Sequence, residues 1–293
     1  MRNRTLVEKL NTLLEPERFH DYAPNGLQVE GKGEISHVVT GVTASLALLE
    51  AAADLHADAV LVHHGWFWKR DTPCITGIRY KRIQTALSAG LNLIAYHLPL
   101  DAHPELGNNA QIAKRLGIIP EGQWGEMDLG WTGTLSAGSL TAKEFAGLCA
   151  KTFRRTPLLV GPEDKVVRRI CWCSGAAQGF FEEAVDQGAD LYLSGEISEP
   201  TVHIAEETGV PCMLLENCCY GREEMAVLHM IKLGVLGEII HCACGYLHDL
   251  REEICLGREN RHYRLDNYLH RNGDNYPPHV TGNDKGLYAT NKR

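Results

Sequence analysis

The sequence predicts a layered α/β protein with largely parallel sheets, and three observations predict it. Short apolar runs of strand length alternate with helical repeats, turn residues punctuate them, and reactive side chains gather where the runs stop. Asn3 to Leu14 carries Leu6, Leu10, Leu13 and Leu14 at helical spacing, and Pro16 closes the helix. His37 to Thr43 reads as a strand, and Ser45 caps an Ala- and Leu-rich helix to about Leu55. Ala57 to Val62 is a short buried strand that runs straight into His63-His64-Gly65. A helix around Tyr80 to Ala89, the turn residue Gly90 and a strand from Leu91 to Tyr96 lead to His97-Leu-Pro-Leu-Asp101.

Gly107 starts another helix, and from Ile118 to Gly130 periodicity gives way to Pro, Gly and Trp, which marks a boundary. A second α/β unit follows. Trp131 to Ser136 is a strand, Thr141 caps a helix to about Phe153, and Arg168 to Cys173 is a strand. Gln178 to Gln187 is helical, Ala189 to Leu193 a strand, Pro200 to Thr208 helical and Val210 to Leu215 a final apolar strand. Beyond Leu215 the texture changes: a helix over Gly221 to Leu233 and a strand over Glu238 to Tyr246 are expected, but Arg251 to Arg293 is polar and lacks an apolar period.

Composition bounds the function. The chain has 293 residues, 44% hydrophobic and 23% charged, within the ordinary globular range. With 29 basic against 37 acidic side chains and a net charge of -8, it lacks the overall attraction on which nonspecific nucleic-acid binding depends. No apolar run approaches the ~20 residues of a membrane span, and the N-terminus leads into a charged amphipathic stretch, so a cytoplasmic protein is expected. The ten cysteines are then expected to be reduced. Four lie in residues 1–210 and six in the remaining 83, a first sign of two origins for the chain.

In parallel sheets reactive groups gather at the carboxyl edge, where His63, His64, His97 and Asp101 are all expected. Two adjacent imidazoles at the end of a buried strand are costly without partners. One such histidine is read most simply as a hydrogen-bonded structural residue, but a carboxylate four residues after His97 makes three imidazoles and one carboxylate on one rim, a donor set suited to zinc, manganese or iron. Cys171-Trp-Cys173 and Cys242-Ala-Cys244 have too short a spacing for the usual structural zinc site and read as buried thiols; Cys218-Cys219 reads as reduced. Lys69, Arg70, Arg79, Lys81 and Arg82 read as a solvated face, with phosphate binding as the alternative. The run Trp66-Phe67-Trp68 reads as packing, with the wall of a base-binding pocket as the alternative. No Walker motif is present, and no Gly-x-Gly-x-x-Gly follows a strand, so a nicotinamide cofactor has no phosphate cradle here.

Asp21-Tyr-Ala-Pro-Asn-Gly-Leu-Gln-Val-Glu-Gly31, Val39-Thr-Gly-Val-Thr-Ala-Ser45, Asp58-Ala-Val-Leu-Val-His-His-Gly65, His97-Leu-Pro-Leu-Asp-Ala-His-Pro-Glu-Leu-Gly-Asn-Asn109 and Ser194-Gly-Glu-Ile-Ser-Glu199 are specific stretches. On them, residues 1 to about 210 resemble the dinuclear-metal-centre proteins called GTP cyclohydrolase 1 type 2 homologues. The resemblance implies two α/β domains with a two-metal site in the cleft between them, and a ring of six subunits. It places the family's first metal ligands on His63, His64 and Asp101, with His97 beside them as the catalytic candidate. The implied activity is attack of metal-activated water on the imidazole carbon of guanine in GTP, opening the ring with loss of formate.

The family completes its metal pair with a His and, four residues later, a Glu after the last strand; here those positions hold Asn217 and Gly221, neither a strong ligand for such metals. Glu216, Cys218, Cys219 and Glu223 are the substitutes at hand. The stretches Leu214 to Glu224, Gly234 to His241, Gly245 to Arg251 and Arg271 to Pro277 resemble an internal fragment of the glucose-fructose-oxidoreductase-like family, which includes NAD-dependent glycosidases. That family's Rossmann half is missing, and Pro278-His279-Val280 departs from its pattern, so its chemistry does not carry over.

The expected organisation is a metal-binding domain over residues 1–124, a second α/β domain over 125–215 and a foreign-looking segment over 216–293. The leading functional expectation is a metal-dependent hydrolase acting on a small molecule such as GTP, with two divalent ions per chain in the family and one where the second ligand pair is lost. A non-catalytic metal-binding or regulatory ring protein is the alternative, and an NAD-dependent oxidoreductase or glycosidase the third.

Overall fold

The computed structural model describes residues 1–215. They form a mixed α/β fold with two main sheets. The chain begins with α1 (Asn3–Leu14), followed by a 3-10 turn (Pro16–Arg18), β1 (Gly26–Val29), β2 (Val38–Thr43), α2 (Leu46–Asp54) and β3 (Ala59–His64). It continues with α3 (Gly77–Ser88), β4 (Asn92–Ala95), α4 (Leu98–Ala102) and α5 (Asn108–Leu116). Then come β5 (Ile118–Trp124), a 3-10 turn (Glu126–Asp128), β6 (Gly130–Leu135), β7 (Leu140–Thr141) and α6 (Ala142–Phe153). The last elements are β8 (Leu158–Val160), β9 (Val166–Val167), β10 (Arg169–Cys173), a 3-10 turn (Gln178–Phe180), α7 (Phe181–Asp186), β11 (Leu191–Ser194), α8 (Glu199–Thr208) and β12 (Cys212–Leu214).

The first sheet has the order β1-β4-β3-β2, with β2, β3 and β4 parallel and β1 antiparallel at one edge. Its apolar residues alternate between two faces, as the period of a strand requires. Val60, Val62 and Leu93 pack with Leu48, Leu49, Ala52 and Ala86 of α2 and α3, whereas Ala59, Leu61, Ile94 and Tyr96 pack with Leu6, Leu10 and Leu14 of α1. The second sheet has the order β5-β6-β10-β11-β12-β8, with a parallel β10-β11-β12 centre and antiparallel flanks. It too is covered on both faces: Ile170, Trp172, Leu191 and Leu193 meet Ile112, Leu116 and Phe145, while Cys171, Tyr192 and Cys212 meet Phe181, Ala184 and Ala205. Burial on both faces explains why these central strands read as continuous apolar runs.

Local signals act where the sequence places them. Ser45 Oγ accepts from Leu48 N at 3.2 Å, and Thr141 closes a capping box with Glu144 at the start of α6. The stretch from Ile118 that loses apolar periodicity is not a bare connection. It forms β5, the edge strand of the second sheet, whose residues 119–123 are exposed; an edge strand needs no apolar alternation because its pairing, not its side chains, holds it. Helix α5 likewise buries Ile112, Ala113 and Leu116 in the second sheet's core. β1 and α4 also lack a sequence signal: β1 is short and half-buried, and α4 is a single turn opened by Pro99.

The expected strand and helix readings beyond Leu215, the ligand positions Asn217 and Gly221, their substitutes Glu216, Cys218, Cys219 and Glu223, and Cys242 and Cys244 lie outside the described residues.

Candidate metal centre

The carboxyl ends of β3 and β4 converge. His63 and His64 are the last two residues of β3, and β4 passes through Tyr96 to His97, the residue that caps α4. Adjacent residues of a regular strand point to opposite faces, yet at this strand end the two rings lie with centroids 4.5 Å apart. His97 stands 5.0 Å from His63 and 5.6 Å from His64 by the same measure. One ligand atom from each of the three imidazoles lies within 4.8 Å of the others. Asp101, one turn into α4 rather than at a strand end, brings Oδ2 to 3.6 Å from His63 Nε2.

Each ring is oriented from behind. His63 Nδ1 is 3.0 Å from the Tyr96 carbonyl oxygen, which only accepts, so Nδ1 carries the proton and Nε2 of the neutral ring holds the lone pair. His97 Nδ1 donates to Asp21 Oδ1 at 2.7 Å, again leaving Nε2 as the lone-pair nitrogen of the neutral ring. His64 Nδ1 lies 3.4 Å from Thr43 Oγ1, its cross-strand partner in β2. Asp21 is fixed in turn: Asn25 Nδ2 and Leu98 N each donate to its Oδ2 at 2.9 Å, and Asn25 Oδ1 accepts from His97 N at 2.7 Å.

Asp101 is held from two directions. Its Oδ1 accepts from Asn108 Nδ2 and from Ser174 Oγ, each at 2.7 Å, and Ser174 comes from the end of β10 in the second sheet. Asn109 ties the same junction, its Oδ1 accepting from Ser174 N at 2.8 Å and its Nδ2 donating to the Asp101 carbonyl at 3.2 Å. Below them Leu98, Ala102, Leu129, Cys173 and Ala177 form a small apolar cluster between α4 and the second sheet. The centre therefore sits where the two sheets meet.

Charge follows the geometry. Burial, with His63 and His97 adding to it, pushes the His64 imidazole down to about 3, so it is neutral at pH 7 and keeps a lone pair to donate. Burial alone lowers His97 too, but the Asp21 hydrogen bond and the nearby Asp101 and Asp21 charges outweigh it and raise the ring above its ordinary value. Burial raises both carboxylates, and in each case neighbours reverse the sign: His97 for Asp21, and His63 and His97 for Asp101, both ending below the usual range.

The residues fit a divalent cation. Ligands of one ion, each ~2.0–2.2 Å from it, stand roughly 3–4 Å apart, which matches the His63–Asp101 separation of 3.6 Å. Imidazoles whose second nitrogen is bonded to a carbonyl or carboxylate have the outer-shell pattern of metal-ligating histidines.

All four residues singled out in the sequence are thus brought together. The structure adds Asp21, Asn25, Asn108, Asn109 and Ser174, which residue type alone did not mark; the first four lie inside the motifs that carry the family resemblance, whereas Ser174 has no sequence signal. Trp68 also borders the centre, its ring 4.9 Å from His97 and 5.9 Å from His64. Trp66, by contrast, is buried in the first core and donates from Nε1 to the Ala44 carbonyl at 2.8 Å. Of the basic run, Lys69, Arg70 and Lys81 are exposed, whereas Arg79, paired with Asp71 at 2.6 Å, and Arg82, whose Nε is buried, are only half-exposed. Cys171 and Cys173 are buried; Cys171 Sγ is 2.9 Å from Thr132 Oγ1, and burial raises its thiol.

The comparisons with known proteins divide the chain in two. Residues 1–230 match the family Duf34/NIF3 (NGG1p interacting factor 3), and residues 220–292 are similar to the C-terminal domain of glycosyl hydrolase 109. A curated relative from Allochromatium vinosum, named GTP cyclohydrolase 1 type 2 homolog, is 50% identical over 208 residues, covering 71% of this chain and 82% of the relative. One from Neisseria meningitidis serogroup A with the same name is 50% identical over 210 residues, covering 70% and 82%. Among solved structures, the protein ybgI, described as of unknown function, is 40% identical with a TM-score of 0.77, covering 85% of this chain and 99% of that one. TTHA1606 from Thermus thermophilus is 28% identical with a TM-score of 0.73, covering 85% and 100%. A family match across more than three quarters of the sequence, joined to relatives at half identity, establishes that this chain belongs to the Duf34/NIF3 family.

Proposed function

We propose that the protein is a metal-dependent hydrolase of the kind its relatives' name describes, opening the imidazole ring of a guanine nucleotide such as GTP. The observation that carries this reading is the meeting of one ligand atom from each of three imidazoles within 4.8 Å, with a carboxylate oxygen 3.6 Å from His63 Nε2. A bound zinc, manganese or iron ion supplies Lewis acidity that makes water nucleophilic near neutral pH. His63, His64 and Asp101 hold the ion, with His64 kept neutral by burial. His97 takes and returns the proton at Nε2, with Nδ1 held by Asp21. Trp68 walls the site beside His97 and offers a flat apolar surface to a planar base.

The proposal includes a metal-binding unit and a second α/β unit, with the expected 124/125 boundary moved back to the start of α5 because α5 and β5 pack with the second sheet, the family's ring of six, and a cytoplasmic setting. No helix among the described residues is long and apolar enough to cross a membrane.

Metal analysis of the purified protein together with incubation of the metal-loaded protein with GTP tests the reading. Formate release and a pterin-like fluorescent product are expected; GTP left intact sinks it. Asn217 and Gly221 at the family's remaining ligand positions favour a second reading, a metal-binding protein without hydrolase activity, in which one ion per chain binds and GTP survives. The 4.8 Å limit on the three imidazoles also favours His97 as a third ligand. His97→Ala decides its role: retained metal with lost turnover supports proton transfer, and lost metal supports coordination.

A further inference from the structure

Asp101 is almost fully buried, and its two oxygens face different partners. Oδ2 looks toward His63, while Oδ1 receives Asn108 Nδ2 and Ser174 Oγ, both at 2.7 Å. Two short charge-assisted donors satisfy the in-plane lone pairs of one carboxylate oxygen. What remains directed at the imidazoles is a single oxygen. A purely structural tie at this place needs only a neutral acceptor, and a buried carboxylate is the costlier choice unless its charge is used.

Ser174 is itself rigidly placed. It follows directly after β10, its backbone N–H donates to Asn109 Oδ1 at 2.8 Å, and Trp172 of the same strand donates from Nε1 to the Asn109 carbonyl at 3.1 Å. Asn109 Nδ2 returns to the Asp101 carbonyl at 3.2 Å. Asn108, Asn109 and Ser174 are 1%, 0% and 8% exposed, so all three donors are shielded from bulk water. Asn108 and Asn109 begin α5, which packs on the second sheet, so the support for Asp101 comes from the element that joins the two sheets and from the second sheet itself.

We propose that Ser174 is a positioning residue that, with Asn108, holds Oδ1 of Asp101 so that only Oδ2 is offered to a cation, coupling metal occupancy to the second sheet. The inference rests on the metal-binding reading above. It makes the second sheet part of the metal centre's support, through a residue that neither spacing nor motif picks out.

The test uses the metal-stripped full chain and zinc alone, with affinity read by competition against a chromophoric chelator. Ser174→Ala is expected to weaken zinc binding about 10–100-fold, the usual loss when an outer-shell partner is removed. Ser174→Thr, which keeps the hydroxyl, is expected to restore most of it. Hydrogen exchange supplies a second readout: zinc is expected to slow exchange at the amides of Ser174 and Ala177 in the unmodified protein, and to lose that effect in Ser174→Ala while still protecting β3. Unchanged zinc affinity in Ser174→Ala overturns the proposal, as does a folded Ser174→Thr no tighter than Ser174→Ala, or zinc protection at residues 174–177 that survives in Ser174→Ala. Should Ser174→Ala fail to fold, Asn108→Ala removes the other donor to the same oxygen, and wild-type affinity there overturns the proposal equally. An unmodified protein that binds no zinc overturns the metal-binding reading itself and this inference with it.

Discussion

His97 is the residue whose surroundings say most about its use. A ring this deep in the protein should lose its proton easily, yet Asp21, 2.7 Å from Nδ1, together with the Asp101 charge outweighs burial. In metal-free protein Asp21→Asn is expected to lower the His97 pKa, because burial is then opposed by the Asp101 charge alone; NMR titration of the ring checks it. An unchanged value would show that the Asp21 charge does not govern the ring. The linkage signs differ for the two partners. Asp21, depressed, contributes stability that is present above its ordinary value of 3.8 and lost as pH falls; His97, raised, contributes stability that is present below its ordinary 6.5 and lost as pH rises through its folded value. The pair is therefore strongest between those two limits. The sequence marked His97 because it follows a strand; Asp21 is 76 residues away, and only folding makes them neighbours.

At the scale of elements, the turn after β3 does more than end a strand. Trp66 N donates to Gln28 Oε1 at 2.6 Å and Gln28 Nε2 donates to the Trp66 carbonyl at 3.1 Å, so Gln28 of β1 clamps the chain just after the histidines. Gly65 lies under that clamp: a Cβ there would run into Gln28 and stand 2.6 Å from Ala95 Cβ. Two residues on, Phe67 adopts φ 63°, a left-handed conformation unfavourable for a bulky side chain, and the chain then carries Trp68 back against His64 and His97. Gly65→Ala is expected to cost about 1–3 kcal/mol by overpacking and to weaken zinc binding by shifting the end of β3. Denaturant unfolding and chelator competition check the two parts separately. The strand before this turn was legible as an apolar run, and so was the helix at Ser45. β1, which supplies the clamp, was not, because its four residues are mostly half-buried and lack a clean alternation.

For the whole molecule, buried carboxylates and imidazoles set the response to acid. Asp58 sits at the opposite end of β3 from the histidines, where its oxygens accept from Lys32 Nζ, Ser36 N, Ser36 Oγ and His37 N at 2.8, 2.9, 2.8 and 3.0 Å. Burial raises its pKa, but these donors, Lys32 foremost, bring it well below the usual carboxylate range. Its contribution is present above 3.8 and disappears as pH falls below that. His64 acts earlier: neutral in the fold down to about 3 and protonated below 6.5 when unfolded, it removes stability progressively between those values as pH drops. Metal-free protein is thus expected to weaken below about pH 6.5 and more steeply below about pH 4. Asp58→Ala is expected to cost about 2 kcal/mol at neutral pH and to flatten only the lower limb. Thermal unfolding against pH checks both, and a variant that keeps the full lower limb would remove Asp58 as its source.

The sequence by itself determined the α/β class, the positions of most central strands and helices, and the residue types of the candidate centre. It did so because apolar period, capping residues and strand-end chemistry are local properties of the chain. Its family motifs likewise sufficed to place the chain in Duf34/NIF3. The tertiary structure alone decided that β5 and α5 belong with the second sheet, and that Asp21 meets His97 and Ser174 meets Asp101. Those contacts join side chains up to 76 residues apart, and no periodicity encodes a pairing between segments whose proximity exists only after both sheets have packed.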